Sequence, residues 1–422
     1  MNPGRSHSPA VARYLIAVLL VLGASGCAAG YVLRAGYEEA KILWRREPIT
    51  DVLRRPDLDP DQRRKIETVL AAREFALGLG LNVDGSFGSL SYSDREENIW
   101  VVTAAERTRL EPYTWWFPIV GRVPYKGYFD PDQARAETAD LERRGYDTYL
   151  RSAAAFSTLG WFADPLLRHQ LRHEEEYLVD LVLHELYHST FYVQGKSAFN
   201  ESLATFAGHR GAIAFFRAHP ERAHPPGGAD LLARAEMSWE DTKRFGTFVT
   251  RVATLLRGAY TDHDGDPAGA IAARESIFAR ARDEYRALSF PSGGFRSFVD
   301  EPLNNAILLH YLLYGTDLDV FEAIYHAQGD DLGRALAAIR KAAETDLSDP
   351  FGAVRRSFPQ AVSVRGRWCG GSGAVCDLDR AEHELAGTGS IETERGDLPI
   401  GTGGHEAFDH LFFPAEEERH RL

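Results

Sequence analysis

Apolar residues crowd the stretch YLVDLVLHELYHSTFYV (Tyr177–Val193) almost without a break, the pattern of a helix buried on most of its sides. The helix is expected to begin near Glu174. Glu174, Glu175 and Glu176 then fall in its first turn, where the macrodipole favours negative charge, so the acidic run needs no ligand role. After a short turn through Gly195 and Lys196, NESLATFAG opens as a second helix. Asp59-Pro60 and Asp130-Pro131 each place an acid at N-cap and proline at N1, which predicts two earlier helices, the second ending at Gly145. Between these two, NIWVVTAAE and TWWFPIVGRVPYKGYF are β-branched and aromatic runs broken by Gly121 and Pro124, as in strands or a hairpin. Tyr146–Leu166 begins extended and stops at Asp164-Pro165. Beyond Gly208 the periodicity is helical over Leu231–Arg257, Pro267–Leu288, Leu303–Tyr314 and Leu332–Glu344. The expected fold is α+β and mainly helical, with a small sheet preceding the Glu174 helix. One domain is expected over 27–357, its core at about 146–345, followed by a Gly-rich charged tail over 358–422.

The N-terminus changes this picture. MNPGRSHSPAVAR is basic, YLIAVLLVL (Tyr14–Leu22) is apolar, and GASGC follows, in the order of a secretory signal peptide over 1–26. ASGC resembles the lipobox of bacterial lipoproteins, with Ala24 where leucine is usual, and the resemblance makes Cys27 the lipid-modified first residue. The alternative is an uncleaved anchor, because the apolar stretch extends to about 20 residues, enough to span a bilayer. A helix leaving the membrane is expected over Tyr31–Arg46. Both readings put the body of the protein in the cell envelope, facing the periplasm or exterior and tethered to a membrane. There Cys369 and Cys376, which flank a Gly-rich loop in WCGGSGAVC, read as a disulfide, with free thiols as the alternative. Hydrophobic residues make up 44% of the 422, and the net charge of −13 argues against nucleic acid as a partner.

Candidate chemistry centres on His184, Glu185 and His188. On a helix each residue turns by about 100°, so two histidines four apart stack on one face and can bind one metal ion. Glu185 sits one step round, off the metal but able to reach a water beside it as general base. A catalytic zinc site keeps three protein ligands and an open position, and Glu201 is the candidate third ligand to one Zn2+ per chain. A His and a Glu left uncompensated within so apolar a helix would be costly to bury, which strengthens the metal reading. Other motifs fail on spacing. Phe191 and Gln194 stand where the extended metzincin pattern needs Gly and His. Thr190 replaces the first glycine of a phosphate loop around Gly195–Ser197. In the calcium-loop-like run from Asp262, Pro267 and Ala273 replace the turn glycine and bidentate glutamate, so Asp266-Pro267 reads as a helix start.

HELYH followed by FNES resembles the gluzincin zinc peptidases. With FPIVGRVPYKGYF (Phe117–Phe129), AFSTLGWFADPL (Ala155–Leu166), FNESLATF and NNAILLHYLLY (Asn304–Tyr314), the chain more closely resembles a family of bacterial membrane-associated proteins described as zinc aminopeptidases. The resemblance runs from Cys27 to about Ala343. It implies a gluzincin-like metallopeptidase core, with His184, His188 and Glu201 as zinc ligands, Glu185 as base, and a peptide or protein as substrate. Many gluzincins carry an Asp that orients a zinc histidine four residues after the ligand Glu; here Thr205 stands there, and Asp180, one turn before His184, is the expected substitute. Related peptidases take an oxyanion donor from a later helix, which makes Tyr311 the candidate, with His310 and Tyr314 beside it. They also lay the peptide along an edge strand before the zinc helix, placing part of Tyr149–Leu159 at the cleft. An endopeptidase acting on envelope proteins, and a lipoprotein that keeps zinc without turnover, are the competing readings.

Overall fold

The computed structural model describes residues 43–91, 99–117, 121–153, 163–225, 228–295, 298 and 302–363. The expected signal peptide, Cys27 and the Cys369–Cys376 pair lie outside these residues.

Two stretches open with the predicted cap. Helix α1 (Pro60–Gly78) begins where the Asp59 carboxylate accepts from the backbone N–H groups of Asp61 and Gln62, and α2 (Pro131–Arg143) where Asp130 accepts from that of Asp132. Gly145, at φ +87°, turns the chain after α2 as its lack of a side chain allows. The N-terminal expectation is corrected at its end: Arg46–Pro48 is strand β1, paired antiparallel with β2 (Ser89–Ser91). Pro48 explains this, because a residue before proline is driven out of the helical region.

The strands that matter for function are β3 (Ile99–Ala105), β4 (Trp115–Phe117), β5 (Gly121–Val123), β6 (Tyr125–Tyr128) and β7 (Asp147–Ala153). β4 and β5 form a hairpin. β3 is central to an antiparallel sheet of order β6-β3-β7, so β7 is an edge strand. The third sheet joins β1 and β2 to a two-residue strand, β8 (Leu166–Leu167). Helix α2 covers the β6-β3-β7 sheet through Ala134 and Leu141, packed with Val102 and Tyr128.

The rest is helical: α3 (Glu175–Thr190), α4 (Ser197–Ala218), α5 (Leu231–Asp262), α6 (Pro267–Ala287), α7 (Asn305–Gly315), α8 (Leu318–Ala327), α9 (Leu332–Ala343) and α10 (Pro350–Ser357). The molecule is thus mainly helical with small sheets. Leu178, Val182, Phe206, Phe215, Trp239 and Phe321 belong to a large core that α3 and α4 share with α1, α8 and α9. A second core, rich in aromatic rings, lies among α5, α6 and α7. Burying such side chains contributes roughly 1.5–3 kcal/mol each, and α3 and α4 are held from several sides at once. Glu175 and Glu176 do more than complement the α3 dipole. Both are buried, Glu175 within 2.5 Å of Arg64 and Glu176 within 2.6 Å of Arg234. Among the described residues no helix is long and apolar enough to cross a membrane.

Candidate metal centre

The candidate metal triad is assembled by two helices and the turn between them. α3 ends at Phe191, and the chain reverses through Gly195 at φ +73°. Asn200 clamps the turn: its Oδ1 accepts from Val193 N at 2.9 Å and its Nδ2 donates to Val193 O at 2.8 Å. Glu201, the next residue, is thereby aimed at α3. Farther along, α4 approaches α3 at two glycines. A Cβ on Gly208 would lie 2.0 Å from Asp180 Oδ1 and 3.2 Å from His184 Cβ, and one on Gly211 would lie 2.4 Å from Leu183 Cδ1. At Gly208, where the Asp180 backbone oxygen would also be 2.8 Å away, only glycine fits, and this close crossing brings the Glu201 carboxylate to the histidine face.

The result is a buried triangle of donors. His184 Nε2 and His188 Nε2 are 3.2 Å apart, and Glu201 Oε2 lies 3.5 Å from the first and 3.4 Å from the second. Metal–ligand bonds of about 2.0–2.1 Å in tetrahedral array require donors about 3.3–3.4 Å apart. The three atoms therefore fit zinc without rearrangement, and two imidazoles with one carboxylate is a donor set that suits it. Among the described residues this is the group of His, Cys, Asp and Glu that could hold a metal ion.

Electrostatics follows from the crowding. Burial alone would raise the Glu201 carboxyl, but His188 and His184 outweigh it and hold the group well below the usual carboxylate range. Burial alone would lower His188, and Glu201 reverses that too. Glu185 differs. Burial raises its carboxyl above the usual range against the pull of His184 and His188, and its Oε2 is shut from solvent without a hydrogen-bond partner. A carboxylate kept beside the donor triangle but outside it is placed to handle protons.

The other expected groups are distributed differently. Asp180 makes no hydrogen bond to the His184 ring. Its Oδ2 lies 3.2 Å from His209 Nδ1 on α4, and neither carboxylate oxygen has a hydrogen-bond partner. Burial drives Asp180 well above the usual carboxylate range and His209 down to about 3. Thr205 Oγ1 is buried and unpartnered as well. Tyr311 turns into the aromatic core, with ring centroids 5.0 Å from Phe245 and 5.3 Å from Phe298. Tyr314, one turn on, is the α7 residue that reaches the triad. Its ring lies 6.5 Å from that of His184, and after burial the Glu201 carboxylate is the largest influence raising its phenol.

Ser202 fixes that placement, since its Oγ donates to Leu313 O at 2.8 Å and accepts from Thr316 N at 3.1 Å, tying α4 to the end of α7. Gly315 and Gly246 let α7 and α5 touch there, a Cβ on Gly246 lying 2.7 Å from Gly315 O. Tyr125 on β6 and Tyr192 in the α3–α4 turn also sense the Glu201 charge. From β7, Tyr149 packs on His310 of α7 at 5.4 Å, and Arg151, two residues on along the same strand face, is buried. Arg151 and Tyr125 had not been picked out from the sequence. The signal available was alternation along β7, which puts Tyr149 and Arg151 on one face.

The sequence profile of the family described as "Putative aminopeptidase" matches residues 30–349, and the chain belongs to that family. No curated protein and no solved structure matches it.

Proposed function

We propose, from membership of that family and the geometry of the triad, that the protein is a zinc-dependent aminopeptidase. The observation that carries this is the buried His184–His188–Glu201 triangle at 3.2–3.5 Å with Glu185 beside it. His184, His188 and Glu201 would hold one zinc ion per chain. Bound there, the ion would supply Lewis-acid polarisation of the scissile carbonyl and acidification of water.

The remaining work falls to side chains. Glu185 takes a proton from the attacking water and returns it to the leaving amine, a role that its raised carboxyl suits in both directions. Tyr314 donates its hydroxyl hydrogen to the carbonyl oxygen as that oxygen gains charge. Among the described residues β7 stands at the end of its sheet, which supports peptide binding by strand addition there. The core would be gluzincin-like, and the basic, then apolar order of the N-terminus with the lipobox-like ASGC at Cys27 supports tethering to the envelope membrane.

The test of exopeptidase action uses one peptide with a free and with an acetylated N-terminus. Cleavage confined to the free form is the expected result, whereas equal cleavage of both identifies an endopeptidase. Zinc titration of Glu201→Ala beside the wild type is expected to reduce occupancy from about one ion per chain to a small fraction. Full occupancy in the variant would remove Glu201 from the ligand set.

A further inference from the structure

We infer that Asn304 is a specificity residue that closes one end of the peptide groove along β7, a role that rests on the peptidase reading above. Pairing with the strand then stops about three residues beyond the scissile bond. Register sets which groups the strand can offer. Ala104 lies opposite Thr148, Val102 opposite Leu150 and Trp100 opposite Ser152. Ala104 O accepts from Tyr113 N at 2.8 Å, so it is not spent on β7. Bonded and unbonded positions alternate along an antiparallel pair. Thr148, Leu150 and Ser152 therefore aim their main-chain groups away from β3, at the outer side of β7.

Two of those three outer carbonyls are taken. Asn304 Nδ2 donates to Thr148 O at 2.9 Å, and Arg151 Nη1 donates to Ser152 O at 3.3 Å. Among the described residues no side chain bonds the N–H or the carbonyl of Leu150. The Asn304 amide thus stands where the N–H of an added strand would sit opposite Thr148. It is held there from behind. Asn304 Oδ1 accepts from Ile307 N at 2.9 Å as the N-cap of α7. The next residue, Asn305, is fully buried, its N donating to Asp147 Oδ2 at 3.0 Å and its Nδ2 to Glu106 O at 2.8 Å. Capping needs only the side-chain oxygen, and serine or aspartate would supply it as well. Capping therefore leaves the Nδ2 contact to the strand edge unexplained.

Ring contacts connect this edge to the metal triad. Tyr149 packs on His310 at 5.4 Å, His310 on Tyr314 at 5.5 Å, and Tyr314 lies 6.5 Å from His184. Asp147 meets Asn305 and Tyr149 meets His310, so α7 and β7 run side by side in the same direction. The triad then lies toward the Ser152 end of the strand, and Asn304 at the opposite end. A peptide added antiparallel, the more stable arrangement, runs against β7. With its scissile bond at the triad, its C-terminal part follows Ser152 and Leu150 toward Asn304. Ser152 N–H and both Leu150 groups pair with it, and two outward residues set two apart span about three peptide residues. At Thr148 the carbonyl is occupied and the pairing ends. Residues farther along gain no contact with β7, so the groove distinguishes short peptides by length and treats longer ones alike.

The experiment measures kcat and KM for the wild type, Asn304→Ser, Asn304→Asp and Glu185→Gln. The substrates share one N-terminal sequence and are lengthened one residue at a time at the C-terminus. In the wild type kcat/KM is expected to rise until about three residues follow the scissile bond and then to stay within about twofold. Asn304→Ser keeps a capping oxygen and frees the Thr148 carbonyl. Its rise should continue for about two more residues, with KM falling a further 2–10-fold or about that. A variant profile that levels where the wild type does overturns the proposal. So does a uniform change at every length, which loss of a cap alone would produce, or a wild-type rise that continues past about five residues. If Asn304→Ser does not fold, Asn304→Asp decides by the same shift in profile, since aspartate caps equally well and donates nothing. An unshifted profile with an inactive Glu185→Gln overturns this inference and leaves the peptidase standing. An active Glu185→Gln overturns the peptidase reading and this inference with it.

Discussion

Asn200 touches no donor of the triad, yet it decides where Glu201 points, because both hydrogen bonds of its amide close the turn onto Val193. Asn200→Ala leaves the buried Val193 N–H unsatisfied, while Val193 O keeps its bond from Lys196 N at 3.1 Å, and is expected to cost roughly 1–3 kcal/mol of stability. Zinc affinity should fall with it, by about 10–100-fold, as for other groups that orient ligands from behind. A competition titration with a chelator measures this, and unchanged affinity would show that the turn holds without the clamp. His184, Glu185 and His188 were legible in the sequence because helical periodicity stacks the two histidines and sets Glu185 one step round, and Glu201 because it opens the next helix after a short turn. Arg151 and Tyr125 were not, since they approach the triad only once β3, β6 and β7 have paired and the sheet has packed on α7. For the same reason Tyr314 and Tyr311, neighbours on one helix, could not be ranked until the aromatic core had claimed Tyr311.

At the scale of elements, the donor triangle depends on how closely α3 and α4 cross. Gly208→Ala would place a methyl 2.0 Å from Asp180 Oδ1 and 2.8 Å from Asp180 O, so the helices must separate. The expected cost is about 1–3 kcal/mol in thermal or denaturant unfolding, with zinc affinity reduced in parallel. A variant as stable as wild type with full affinity would mean that the crossing relaxes freely. Asp-Pro pairs cap in a local way, so three helix starts were marked by them, and α6 indeed begins where Asp266 accepts from Gly269 N. Sequence did not mark α8. Helix α8 follows Asp317, which sits at φ +58° without a side-chain cap, a conformation set by packing and by the Arg355 guanidinium at 2.7 Å. β1 was missed in the same way, since its partner β2 lies more than forty residues on.

For the whole molecule, buried ionisable groups couple stability to pH. Burial lifts the Glu176 carboxyl to about 7 despite Arg234, so the folded state holds a proton that the unfolded chain has already released. A raised carboxyl favours the fold at low pH, and the contribution is lost as pH rises from about 4.5 to 7, on the order of 2–3 kcal/mol. Glu176→Gln cannot ionise and should lose less stability than wild type between pH 5 and pH 8. Parallel loss in both proteins would assign the pH dependence to other groups. The central claim concerns function, and it is tested most directly by Glu185→Gln assayed for peptide hydrolysis and zinc content in the same sample. The account predicts about one zinc per chain in both proteins and a fall in kcat of at least about 100-fold in the variant. A variant that keeps its zinc and hydrolyses peptide at the wild-type rate would contradict it.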